Sequence, residues 1–166
     1  SYYLIMKKLI IIFIILYSSA ILSNDYKIDI HGKIVSNEKH KYSDNSYYSI
    51  LKIDGTFTDN FSNYGNFNAL VNLEIENSEL KQHFFSTELT YQDGSIFYGQ
   101  GSRTSKEFEQ GTGKLLITTA NQKLKELIGV KCVYAINFFR STSFTLTKCK
   151  ITDAQKKALS DISDNK

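Results

Sequence analysis

The chain has 166 residues, 42% of them apolar and 22% charged, a balance that suits one folded unit with a real core and excludes a disordered or fibrous protein. Its formal charge of +3 falls to +1 without Lys7 and Lys8, leaving 18 basic against 17 acidic residues. No basic stripe or arginine cluster then remains to bind nucleic acid. Lys-, Asn- and Ile-rich usage with no proline or tryptophan points to an AT-rich bacterial genome.

Residues 1–23 have the order of upstream sequence plus a signal peptide. Ser1 to Ile5 precede the first methionine, Met6-Lys7-Lys8 is a basic start, and Leu9 to Tyr17 is an unbroken apolar run. The small-residue stretch Ser18 to Ser23 follows, with cleavage expected after Ala20 or Ser23. A membrane anchor is the rival reading. The nine-residue run, about fifteen with its polar-spotted tail, falls short of the roughly 20 apolar residues that cross a bilayer. Residues 24–166 are therefore expected as a single domain, periplasmic or secreted, with no stable membrane span.

Along that domain apolar residues recur with period two, so mostly strands are predicted. Tyr26 to Val35 is the first, with Gly32 as a bulge, and Ser36 to Asn45 is a charged loop. Tyr47 to Thr58 is the second, and Asp59 to Asn66 is a turn-rich connector. Next, Phe67, Ala69, Val71, Leu73 and Ile75 share one face of a half-buried strand. A reversal at Asn77-Ser78 leads to a partner, Leu80 to Gln92. A three-residue loop there would put His83, Phe85, Thr87, Leu89 and Tyr91 on the same inner face. A two-residue loop would instead turn Glu88 inward, so three residues are preferred.

Asp93-Gly94 signals a two-residue hairpin that pairs Tyr91 with Ile96 and Leu89 with Tyr98. Ser95 to Thr104 carries Gly99 and Gly101, a polar loop covers Ser105 to Gln110, and Gly111 to Thr119 carries Gly111 and Gly113. Paired glycines of this kind mark bends where a sheet curls. A helical turn is predicted over 121–128, stopped by Gly129, then a hairpin over Val130 to Ile151. Thr152 or Asp153 caps a short helix over 153–163, with Ala154, Ala158, Leu159 and Ile162 as its apolar stripe. Successive hairpins without a helical crossover predict an all-β fold. It is an antiparallel up-and-down barrel of about eight strands, with a two-sheet sandwich as the alternative.

If Arg140-Ser141 is the last turn, Cys132 falls directly opposite Cys149, at a spacing a disulfide can bridge. An oxidising compartment would close it. No CxxC, HExxH or paired histidines suggest a metal, no cofactor is implied, and neither glycine pair completes a phosphate-binding motif. His40 is expected in solvent and Glu107 and Glu109 on a loop edge, with no catalytic constellation anywhere. His83, Thr87, Tyr91 and Tyr98 are the candidate ligand contacts, on the expectation that all four face the lumen. Tyr134, Ile136 and Phe138 alternate with Val133, Ala135 and Phe139, so that strand is apolar on both faces, which suits an oligomer contact.

The stretch from Asn121 through Lys123, Leu124 and Gly129 to Tyr134, together with the Tyr91 to Gly101 hairpin, resembles the allene-oxide-cyclase and dirigent-like barrel superfamily. The resemblance covers roughly residues 54–140 and departs where Gln122 and Glu126 replace the usual glycines; the cysteine pair is foreign to it. It implies a closed eight-stranded antiparallel barrel, often oligomeric, with a pocket at one end, and carries over no catalytic residue. The leading expectation is thus a non-enzymatic exported barrel that binds a small apolar or amphipathic ligand. A cyclase or isomerase of a lipid-derived substrate using His83 or a tyrosine, and a structural or interaction module of the cell envelope, are the alternatives.

Overall fold

The computed structural model describes residues 24–164. Residues 1–23, where a signal peptide is expected, lie outside the described residues, as do the last two positions. Eight strands close into an antiparallel barrel in chain order, each paired with its sequence neighbours and β8 with β1. They are β1 (Asn24–Ser43), β2 (Ser46–Asp59), β3 (Tyr64–Glu76), β4 (Glu79–Tyr91), β5 (Ile96–Arg103), β6 (Gln110–Ala120), β7 (Lys131–Phe139) and β8 (Thr142–Ile151). The sandwich alternative is thereby excluded. A 3-10 turn (Gln122–Leu127) joins β6 to β7, and helix α1 (Asp153–Ser163) ends the described chain.

The two ends of the barrel differ. At one end, Leu124 and Leu127 of the 3-10 turn and Leu159 and Ile162 of α1 are wholly buried against Tyr26, Phe97 and Ile117. This end is sealed. Thr152 is the N-cap of α1, and its hydroxyl accepts from the Gln155 N–H while Gln155 Oε1 accepts from the Thr152 N–H. Of the predicted helical stripe, Ala154 stays exposed. Asn63, 1% exposed, locks the helix down: its amide donates to the Leu159 carbonyl at 2.9 Å and to Asp59, and its Oδ1 accepts from Gln92. The other end, formed by the 43–46, 77–78 and 140–141 turns and the 104–109 loop, is the mouth.

Three sequence expectations are corrected here. The predicted loop Ser36 to Asn45 is mostly strand, because β1 runs on to Ser43 by pairing with β2, and its register shifts fall between Ile34 and Ser36 and between Lys41 and Ser43 instead of at Gly32. Beyond Ile34 the outer edge of β1 has no strand partner, and its charged residues guard that edge. Second, the Asn77-Ser78 loop holds two residues, both at positive φ. A bulge at Lys81 then reverses the phase, so His83, Phe85, Thr87 and Leu89 face inward as expected, by a different route.

Third, the Asp93-Gly94 hairpin is one residue longer than predicted. The Asp93 carboxylate accepts from the Ser95 N–H and hydroxyl, and Gly94 sits at φ +83°, which together build a three-residue loop. Leu89 consequently pairs with Phe97, and Glu88 with Tyr98. Phe97 is fully buried while Tyr98 is 40% exposed on the outer wall. Tyr98 therefore does not face the lumen.

The final hairpin follows its predicted register. Arg140 takes φ +56° in the turn, Phe139 pairs with Thr142, and Cys132 lies opposite Cys149 with their sulfurs bonded. Both cysteines are buried in the sealed-end core.

Candidate functional site

Between the sealed end and the mouth the lumen is mostly filled by side chains. A cavity of about 60 Å³ remains, walled by Leu51, Val71, Phe85, Leu89 and Ile136 among others, and it is far smaller than the roughly 300–1,000 Å³ of ordinary ligand pockets. Its ceiling is Phe108 against Phe138, stacked with ring centroids 5.2 Å apart and planes 10° from parallel. Above that pair lies an open basin of about 830 Å³ whose rim carries Lys41, Asp44, Glu107 and Glu109. Cavity and basin share the two phenylalanines as a partition.

Phe108 sits on the 104–109 loop, which crosses the mouth as a strap. The Leu80 N–H donates to the Lys106 carbonyl at 3.1 Å, and the Phe138 N–H to the Glu109 carbonyl at 2.7 Å. Arg103, the last residue of β5, holds the strap from beneath. Its Nη1 donates to the Glu107 carbonyl at 2.8 Å, and both terminal nitrogens reach the Phe108 carbonyl at 3.4 Å.

Beneath the partition three polar side chains converge from three strands: His83 of β4, Arg103 of β5 and Tyr134 of β7. His83 Nδ1 and Arg103 Nε are buried without a hydrogen-bond partner in the protein, and the Tyr134 hydroxyl lies against the Arg103 guanidinium. Burial holds the His83 imidazole down to about 4, with the Arg103 charge adding to the effect. Burial likewise lowers the Arg103 guanidinium and raises the Tyr134 phenol, the latter opposed by Arg103. No carboxylate among the described residues is paired with Arg103. A cationic group thus faces an apolar cavity with only neutral carbonyls and a phenol around it.

The glycines of β5 and β6 make this arrangement fit. A Cβ on Gly113 would lie 2.3 Å from the Tyr134 ring and hydroxyl, one on Gly101 2.3 Å from Phe85, and one on Gly111 1.9 Å from Ser105 Oγ and 2.6 Å from Arg103 Nη1. The absent side chains are sockets for the aromatic rings and the guanidinium, a more specific role than the expected bends. Gly113→Ala is expected to destabilise the fold by about 1–3 kcal/mol through overpacking and to displace Tyr134. Chemical denaturation and the Tyr134 ring resonances check this, and an unchanged midpoint would remove the socket.

Of the four predicted ligand contacts, the structure brings two to the cavity. His83 and Thr87 line it, and the Thr87 hydroxyl donates to the Asn68 carbonyl at 2.9 Å. Tyr91 is inward but lies in the sealed-end core, its hydroxyl bonded to that of Tyr26 and its phenol pushed well up by burial. Tyr98 is outside. Sequence reasoning missed Arg103, Tyr134 and the Phe108–Phe138 partition. The inward phase of Cys132 carries Tyr134, Ile136 and Phe138 with it, so two of these were within reach of the sequence.

The depressed His83 gives a pH prediction. Its folded value lies below the ordinary 6.5, so the stability tied to the neutral ring is fully present above pH 6.5 and is lost as pH falls toward about 4. The loss is expected to reach about 3 kcal/mol at most, and His83→Gln should flatten that part of the stability curve. A ring titration by NMR with its midpoint near 6.5 would place the imidazole in water instead.

Among the described residues no three His, Cys, Asp or Glu side chains cluster as a metal site requires, and no helix is long and apolar enough to cross a membrane. In comparisons with known proteins the chain matches no family model, no curated protein and no solved structure.

Proposed function

We propose that this protein is an exported, non-enzymatic barrel that binds a small amphipathic molecule at the mouth, with the ligand's apolar part entering the lumen beneath the Phe108–Phe138 partition. The observation that carries the reading is the partition itself: two stacked rings separate an apolar cavity from an 830 Å³ basin, and polar atoms without partners lie just below. Buried polar atoms are normally hydrogen-bonded, so His83 Nδ1 and Arg103 Nε are positions that a ligand's polar group would satisfy. Swinging Phe108 into the basin would join the two spaces and give room that the 60 Å³ cavity alone lacks. A disulfide in the core supports residence in an oxidising compartment, the periplasm or the medium. The resemblance to the allene-oxide-cyclase and dirigent-like barrels adds an end pocket as its implication.

The nearly filled lumen favours a second reading, an envelope interaction module working through its outer wall. Val133, Phe144 and Leu146 stand out from neighbouring positions of β7 and β8, at 59%, 46% and 38% exposure. Native mass spectrometry of protein taken from its own cells distinguishes the two. The first reading expects a small-molecule adduct that disappears on denaturation. A protein that carries no adduct and runs as a multimer, restored to monomer by Val133→Lys, would replace it with the second.

A further inference from the structure

Resting on the lumen-binding reading, we infer that the ligand is a short-chain monocarboxylic acid whose carboxylate docks on Arg103 below the strap. A guanidinium is a planar fork of five donors suited to two carboxylate oxygens. In this protein its terminal nitrogens are spent on two neutral carbonyls, at 2.8 and 3.4 Å, and its Nε has no protein partner. Buried charges are ordinarily paired with a counter-charge. A carboxylate would supply that charge, and the Tyr134 hydroxyl, which lies against the guanidinium, has its O–H left to donate to it.

The surroundings restrict the rest of the molecule. Below Arg103 the wall is Phe85, Leu89, Leu51, Val71 and Ile136, which accepts an alkyl or small aryl tail and no second charge. The neutral His83 at the same level lets one polar group lie close without adding a competing cation. Cations are rejected by Arg103 itself. The rim carboxylates Asp44, Glu107 and Glu109 are exposed and so are screened at physiological salt, whereas the attraction at Arg103 is short-range and sheltered.

A carboxylate that takes both terminal nitrogens also competes with the strap. Those N–H groups now serve the Glu107 and Phe108 carbonyls, so such occupancy would release Phe108 from beneath and give the cavity the space of its ring. Anchor and gate are then one residue.

The test compares hexanoate with 1-hexanol by NMR titration on the unmodified protein and on Arg103→Gln and Arg103→Lys. Charge-assisted bidentate contacts predict hexanoate at least about ten-fold tighter than hexanol in the unmodified protein. Arg103→Gln should erase that preference, read as the ratio of hexanoate to hexanol affinity within the same variant; Arg103→Lys should keep only part of it. Hexanol binding at the mouth with hexanoate no tighter overturns the carboxylate assignment and leaves the lumen reading standing. Neither probe shifting any mouth or cavity resonance overturns both. Should Arg103→Gln fail to fold, the two probes on the unmodified protein still decide the matter.

Discussion

Replacing Cys132 and Cys149 together with alanine is expected to lower the folding free energy by about 2–4 kcal/mol and the thermal midpoint by about 10 °C. The two residues are 17 apart in sequence, and closing a loop of that size in the unfolded chain is worth roughly 3 kcal/mol in the chain-entropy view. Both sulfurs also fill the sealed-end core, so the double variant loses a little packing besides. Reduction of the unmodified protein should give most of the same loss. The β7–β8 ladder continues on both sides of the bridge, with Val133 paired to Lys148 and Tyr134 to Thr147, so the barrel is expected to stay closed without it. A variant as stable as the parent would mean that the cross-link does nothing beyond what that ladder already holds.

The second large effect lies at the plug. Leu159→Ala should cost about 2–5 kcal/mol, the range for a fully buried leucine whose neighbours cannot collapse into the space. Collapse is hindered because Leu159 packs into a core closed by a disulfide, and its own carbonyl is held by Asn63. Ala154→Ser on the exposed side of the same helix should change stability by no more than about 0.5 kcal/mol. A loss below about 1 kcal/mol for Leu159→Ala would mean that α1 frays in solution and that the sealed end is not sealed. Ligand access through the mouth alone would then lose its basis.

Strand number, closure and the Cys132–Cys149 bridge were legible because each follows from period-two patterning and one well-signalled turn. The inner face of β3 was equally plain, since Ala69, Val71, Leu73 and Ile75 alternate without interruption. What the sequence hid was phase. At Asn77-Ser78 the loop length was misread, yet the bulge at Lys81 cancelled the error, and nothing in the local residues announces such a bulge.

At Asp93-Gly94 the misreading had a consequence for the site. A two-residue loop makes Tyr98 an inward residue, and with it Gln100 and Ser102; the actual three-residue loop turns Phe97, Gly99, Gly101 and Arg103 inward. One residue of register therefore replaced a guanidinium with a phenol in the expected binding site. The side-chain bonds from Asp93 to Ser95 decide it, and Asp-Gly followed by Ser carries that information only in retrospect. The long β1 was unreadable for another reason. Its outer half, from Ser36 to Ser43, is exposed on both faces, so pairing with β2 holds it without any apolar pattern to reveal it.

The most direct test of the central claim is where a bound molecule perturbs the protein. In amide and methyl NMR spectra recorded with increasing 1-hexanol, the account expects shifts at Leu51, Val71, Thr87, Phe108 and Phe138, around the partition and the cavity below it. Shifts confined to Val133, Phe144 and Leu146 on the outer wall, with the partition untouched, would contradict it.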